Sequence, residues 1–123
     1  MTTLWTWLGL AVGGGVGAVL RLLVDGAVTR RSASALPVGT LAVNLSGALV
    51  LGLLDGAVLP PHAAMVVGTG LVGAYTTFST WMFETQRLAE ERQLLRAAGN
   101  LAVSVVAGVA VAVLGLWIGG QLR

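Results

Sequence analysis

Apolar residues run along this chain in four blocks, with charge confined to their edges. The first is uncharged from Thr2 to Leu20 and meets Arg21, and the second runs from Val38 to Leu54 and meets Asp55. The third, Ala63 to Phe83, and the fourth, Ala97 to Gly120, contain no charge at all. A hydrocarbon core takes about 20 apolar residues as helix, so the blocks predict four spans over roughly residues 4–24, 38–58, 63–83 and 97–118. Past the third block, Glu84, Arg87, Glu90, Glu91, Arg92 and Arg96 recur at helical spacing. They predict that this helix continues out of the membrane as an amphipathic segment.

The third block differs from the others. Its middle reads Gly73-Ala74-Tyr75-Thr76-Thr77-Phe78-Ser79-Thr80-Trp81, after the glycines Gly68 and Gly70. Hydroxyls can bond back to their own helix, but glycine also weakens a helix and lets the chain leave it. The pattern predicts a break near residues 73–77. Non-helical backbone survives at membrane depth only where protein buries it or it lines a watery path. Such a break exposes two complementary ends. The half ending near Gly73 presents carbonyls suited to a cation; the half beginning near Thr77 or Phe78, with Thr77 as N-cap, presents N–H groups suited to an anion.

Composition supports the membrane reading and narrows the chemistry. Only 10% of the 123 residues are charged and 56% are hydrophobic, with a mean hydropathy of +0.89. A soluble domain carries about a quarter charged residues. The absence of cysteine excludes disulfides, thiolate catalysis and Cys-ligated metals. The first block lacks a basic start and is long enough to span, so it reads as a helix and not a leader. Seven basic residues against five acids give only +2, and the basic ones flank membrane segments. Topology explains them better than nucleic acid does.

Within the spans, polar groups are few. Asn44 lies a third of the way into span 2, as interhelical glue or as a donor aimed into an anion path. Arg21 closes span 1, snorkelling to the interface or concentrating anions at a polar mouth. Asn100 and Ser104 share one face of span 4, and Phe78 shares a face with Trp81. Aromatic ring edges are electropositive and can line an anion path, although packing is the commoner role of such pairs. Gly13 and Gly17 in span 1, and the small residues Ser104, Gly108, Ala112, Gly115 and Gly119 in span 4, predict close helix packing.

Three of these segments together resemble the Fluc (CrcB) family of fluoride channels. They are Gly13-Gly14-Gly15-Val16-Gly17-Ala18-Val19-Leu20-Arg21, Pro37-Val38-Gly39-Thr40-Leu41-Ala42-Val43-Asn44-Leu45-Ser46-Gly47 and Gly70-Leu71-Val72-Gly73-Ala74-Tyr75-Thr76-Thr77-Phe78-Ser79-Thr80. The resemblance implies an all-α membrane protein, one four-span domain over residues 1–123, assembled as an antiparallel dimer with two fluoride pathways. It implies a structural Na⁺ at the dimer centre, held by backbone carbonyls that match Gly73 and Thr76. It places the family's pore asparagine on Asn44, its vestibule arginine on Arg21 and its pore hydroxyls on Ser79 and Thr80. The facing aromatics fall on Phe78 and Trp81, where the family has a second phenylalanine, and the polar track of span 4 falls on Asn100 and Ser104. The expected function is passive export of F⁻ across the bacterial plasma membrane, with no enzymatic step.

Arginine placement adds an expectation about assembly. Loops 1 and 3 carry Arg30, Arg31, Arg87, Arg92 and Arg96, and the opposite side carries only Arg123. This bias predicts loops 1 and 3 in the cytoplasm and a fixed orientation. Some members of the family that these segments resemble pair homologous subunits of opposite fixed orientation, so the resemblance and the bias together imply a heterodimer with such a partner. Three competing readings are weaker. A small multidrug exporter needs a carboxylate embedded in the first span, and span 1 has none before Asp25. A membrane assembly factor would use the small-residue faces for packing alone. An intramembrane enzyme would need a His, Asp, Glu or Ser/His cluster that the spans lack.

Overall fold

A computed structural model of the chain describes residues 2–32 and 37–123. Helix α1 covers Thr2–Arg31 and α2 covers Val38–Ala57. The third rod is composite: α3 (Pro61–Ala63), a π-helical stretch (Ala64–Val72) and α4 (Gly73–Tyr75) run end to end, and after an interruption α5 (Ser79–Glu90) resumes. Helix α6 (Leu94–Gln121) completes an all-helical architecture among the described residues. Helices α1, α2 and α6 are each long and apolar enough to cross a membrane. The fourth block's partner in the plan, the third rod, reaches that length only when its pieces are taken together.

Burial is inverted relative to a soluble protein. Among the described residues the buried apolar ones are few, Val43, Val72, Leu88 and Ala97, while Trp5, Trp7, Val12, Leu22, Val106 and Trp117 lie exposed on the outer faces of α1 and α6. Apolar side chains turned outward along whole helices are the surface expected against lipid.

The boundaries depart from the sequence expectation in an informative way. Asp25 to Leu36 reads as a loop, yet α1 continues through Asp25 to Arg31. Hydropathy marks where hydrocarbon ends, and backbone hydrogen bonding does not stop there. The remainder of that loop, including Ser34, lies outside the described residues. At the other end of the bundle α2 stops at Val58, whose left-handed φ of 56° turns the chain toward Pro60 and Pro61. The amphipathic continuation after the break is α5, which buries Thr85 and Leu88 and exposes Arg87 and Glu90.

Glycine sets how closely the rods approach. A Cβ on Gly13 would sit 3.1 Å from the Val66 carbonyl oxygen, and one on Gly17 would overlap the Leu71 carbonyl. The GxxxG of α1 therefore seats directly on the π-helical stretch. On α6, Gly115 and Gly119 face the carbonyls of Leu49 and Leu53, and on α2, Gly52 and Gly56 face those of Ala112 and Leu116. Gly108 and Gly99 have open space around them and take no part in this contact. The α2–α6 seam is thus backbone against backbone, the packing that a bilayer favours where apolar burial gives no net drive.

Substituting Gly52→Val should therefore destabilise the protein by about 1–3 kcal/mol through overpacking, whereas Gly99→Ala should be neutral or slightly stabilising. Thermal unfolding in detergent, followed by gel filtration, would check the contrast.

Candidate functional site

The interruption of the third rod spans Thr76 to Phe78, overlapping the expected window of 73–77 at its end and beginning three residues after Gly73. Thr76 leaves helical geometry with φ −81° and ψ 162°. The glycines Gly68 and Gly70 fall not at the break but in the π-helical stretch, where the Gly73 N–H reaches back five residues to the Gly68 carbonyl.

Asn44 closes the break from α2. Its Oδ1 accepts the Thr77 backbone N–H at 2.9 Å, and its Nδ2 donates to the Thr77 carbonyl at 2.9 Å. One side-chain amide thus replaces both backbone partners that Thr77 lost on leaving the helix. Gly47, one turn further along α2, makes room for the approach, since a Cβ there would overlap the Thr76 side chain. Glue and donor are consequently the same residue, because an amide nitrogen carries two hydrogens and Thr77 takes one.

This capture has a consequence for two carbonyls. In an unbroken helix the Thr77 N–H would bond Gly73 and the Thr80 N–H would bond Thr76. The first goes to Asn44 instead, and the second goes to the Thr77 hydroxyl at 3.2 Å. The N-cap of α5 is thus Phe78 and not Thr77; the Thr77 hydroxyl nonetheless takes a first-turn N–H from one residue further out, and the carbonyls of Gly73 and Thr76 lose their intrahelical donors. Both are hard oxygen ligands of the kind that suits an alkali or alkaline-earth cation. Among the described residues no group of three His, Asp or Glu gathers to hold a metal. The carbonyl pair fits a cation that needs no ionised ligand.

The other side of the break carries hydroxyls and aromatic rings. Phe78, 70% exposed, meets Trp81 edge to face, with centroids 5.7 Å apart and planes at 78°. Ser79 and Thr80 are exposed beside them, and Ser79 Oγ lies 3.5 Å from Thr77 Oγ1. Phe78 and Trp81 border an open depression of about 340 Å³, lined also by Asn44, Gly47, Ala48, Gly73 and Thr76. Arg21 is not simply turned to the membrane surface. It lines a smaller cavity of about 110 Å³ with Asp25, Thr40, Thr77 and Thr80, so the cation of α1 and the hydroxyls of the break share one space.

Three contributors escaped the sequence reading. Thr40 donates to Glu84 Oε1 at 2.5 Å, tying the first turn of α2 to α5 near that cavity. Glu84 lies one residue past the expected third span; burial pushes its carboxyl above the usual carboxylate range, and the Thr40 bond partly offsets this. Thr85 is the third, bonded to both Trp81 and Asn100. Each has its partner tens of residues away or on another helix, so no local pattern marks it. Asn100 is 5% exposed and directs its amide at Thr85; Ser104 follows half-buried one turn along α6. Neither is brought to Asn44. Asn100 meets the site from the α6 side through Trp81 and Thr85.

Comparison with known proteins gives one consistent picture. The family described as "CrcB-like protein, Camphor Resistance (CrcB)" matches residues 8–116. A protein of Mycolicibacterium paratuberculosis named fluoride-specific ion channel FluC 2 is 61% identical over 94% of this chain and 94% of its own length. The Mycobacterium tuberculosis protein of the same name is 58% identical over 94% of this chain and 92% of its own. Fluoride-specific ion channel FluC 1 of Streptomyces avermitilis is 45% identical over 94% and 97% respectively.

Replacing Asn44 with leucine removes both bonds to Thr77 and leaves a backbone N–H and a carbonyl unpaired inside the membrane. The expected loss is about 1–3 kcal/mol per unsatisfied group, read as a lowered unfolding midpoint in detergent.

Proposed function

The chain belongs to the CrcB family, and from that premise we propose the following mechanism for it as a fluoride-selective channel subunit. Fluoride leaves the cytoplasm passively, down its gradient, through a path beside the broken third rod. The observation that carries this reading is the hydroxyl and aromatic end of the break, Phe78 to Trp81, held in place by Asn44. A small anion gives up its water only where fixed donors replace it. The hydroxyls of Ser79 and Thr80 and the second amide hydrogen of Asn44 supply such donors. The ring edges of Phe78 and Trp81 add weak positive potential and a narrow wall that larger, softer anions fit less well. Arg21 raises the local anion concentration in the cavity that it shares with Thr80. Asn100 and Ser104 continue the polar side along α6.

The working unit in this reading is an antiparallel dimer. The freed carbonyls of Gly73 and Thr76 would hold Na⁺ there, and the ion would supply fixed positive charge beside the break. Support comes from the diverted donors of Thr77 and Thr80, which leave those oxygens available. The five-to-one arginine bias between the two sides favours a single orientation in the plasma membrane, with loops 1 and 3 cytoplasmic. A subunit of one orientation needs a homologous partner of the other, and the numbered names FluC 1 and FluC 2 among its relatives fit such pairs.

Liposomes containing this chain, alone and with a homologous partner, should release fluoride and retain chloride in at least one combination. Efflux without fluoride preference in every combination would sink the central claim. The chain has no native cysteine, so a single cysteine at Thr3 reports orientation directly. In intact cells it should react with a membrane-impermeant maleimide to completion; a half-labelled population would point to dual insertion instead.

A further inference from the structure

Three hydrogen bonds join α5 and α6 into a closed loop of three residues. The Trp81 indole N–H donates to the Asn100 backbone carbonyl at 3.4 Å. The Asn100 side-chain amide donates to Thr85 Oγ1 at 2.8 Å. The Thr85 hydroxyl donates to the Trp81 backbone carbonyl at 2.8 Å, one helical turn earlier, and the loop returns to its starting residue. Thr85 is 9% exposed and Asn100 5%, so water does not compete for these partners.

Each member needs the others. The Thr85 hydroxyl has a single hydrogen, and giving it to Trp81 turns a lone pair toward Asn100. Asn100, held by its side chain, keeps its backbone carbonyl under the indole. Trp81 is thereby fixed at its ring nitrogen and leans edge to face on Phe78, which is largely exposed at the open depression.

We propose that Thr85 is a positioning residue for the anion pathway: it orients Trp81 through Asn100 and never meets the ion itself. The inference rests on the fluoride-channel reading above and adds a chemical statement to it. The indole N–H, which looks like an additional donor for fluoride, is committed to α6, and the anion meets only carbon-bound edges of that ring. Trp81 then serves the pathway as a wall and not as a ligand.

Two measurements test this. In the first, Thr85→Val removes the hydroxyl at nearly constant volume and should lower fluoride efflux roughly tenfold, while Thr85→Ser stays within about twofold of the parent. In a Trp81→Phe background the Thr85→Val effect should shrink to about twofold or less, because the ring it positions is gone. An undiminished effect in that background overturns the proposal. Should the valine variant fail to assemble, Thr85→Ala removes the same hydroxyl without added branching. The second measurement does not depend on conduction. With Trp5, Trp7 and Trp117 replaced by phenylalanine, Trp81 is the sole tryptophan, and Thr85→Val should raise its quenching by acrylamide about twofold or more while Thr85→Ser should not. Unchanged quenching also overturns the proposal. A chain that conducts no fluoride, alone or with a homologous partner, but shows the quenching change would refute the channel reading and leave the positioning role standing.

Discussion

The structure depends on one side chain standing in for helix backbone. A bilayer core offers no water to an unpaired N–H or carbonyl, so an interruption at membrane depth persists only if something inside the protein takes both groups. Asn44 does so for Thr77, with two bonds of 2.9 Å. The rest of the site follows from that substitution. Because the Thr77 N–H goes to Asn44, the Gly73 carbonyl is released. Because Thr77 is held outside the helix, its hydroxyl can cap Thr80 and release the Thr76 carbonyl in turn. The same fixed point starts α5, and α5 carries the aromatic and hydroxyl groups on successive residues. A cation-suited face and an anion-suited face thus arise from one displaced peptide unit.

Placing Asn44 opposite the break is a packing problem, and glycine solves it twice. Gly52 and Gly56 interlock with Gly115 and Gly119 so that α2 lies against the backbone of α6. Gly13 and Gly17 bring α1 onto the π-helical stretch that leads into the break. Helix α2 is therefore located by main-chain contact on the α6 side, and Gly47 lets it close on Thr76 from the other. Apolar burial contributes little specificity here, as among the described residues the buried apolar set is small and Val43 alone is fully enclosed. Position is set by where side chains are missing.

Much of this was legible in the residue pattern, for physical reasons. Three long spanning helices follow from uninterrupted apolar length, and the break follows from hydroxyls and glycine crowded where lipid offers no partner. Thr77 reads as a cap because threonine accepts from an N–H three residues on. Other features leave no mark in one dimension. A π-helical stretch keeps the apolar character of Ala64–Val72 and changes only which carbonyl each N–H finds. The extension of α1 through Arg31 looks like a loop because charge returns there, although helix continues. Thr85 resembles any surface threonine on an amphipathic helix until α6 is laid over it. Asn44 was marked as polar within a span, but its partner, a main-chain peptide 33 residues away, has no sequence signature.

The lengths of the rods differ, and the difference bears on the host bilayer. Helix α2 has 20 residues, about 30 Å of rise, which equals an average hydrocarbon thickness. It is bounded by Pro37 and by left-handed Val58, so it cannot lengthen at either end without losing a turn. Helix α1, with 30 residues, is about 45 Å long and can tilt or protrude to suit many membranes. The shortest of the three uninterrupted spanning helices is thus also the one that bears Asn44. Hydrophobic mismatch would fall first on α2, and a thicker bilayer would be dimpled around this protein before the break could shift in depth.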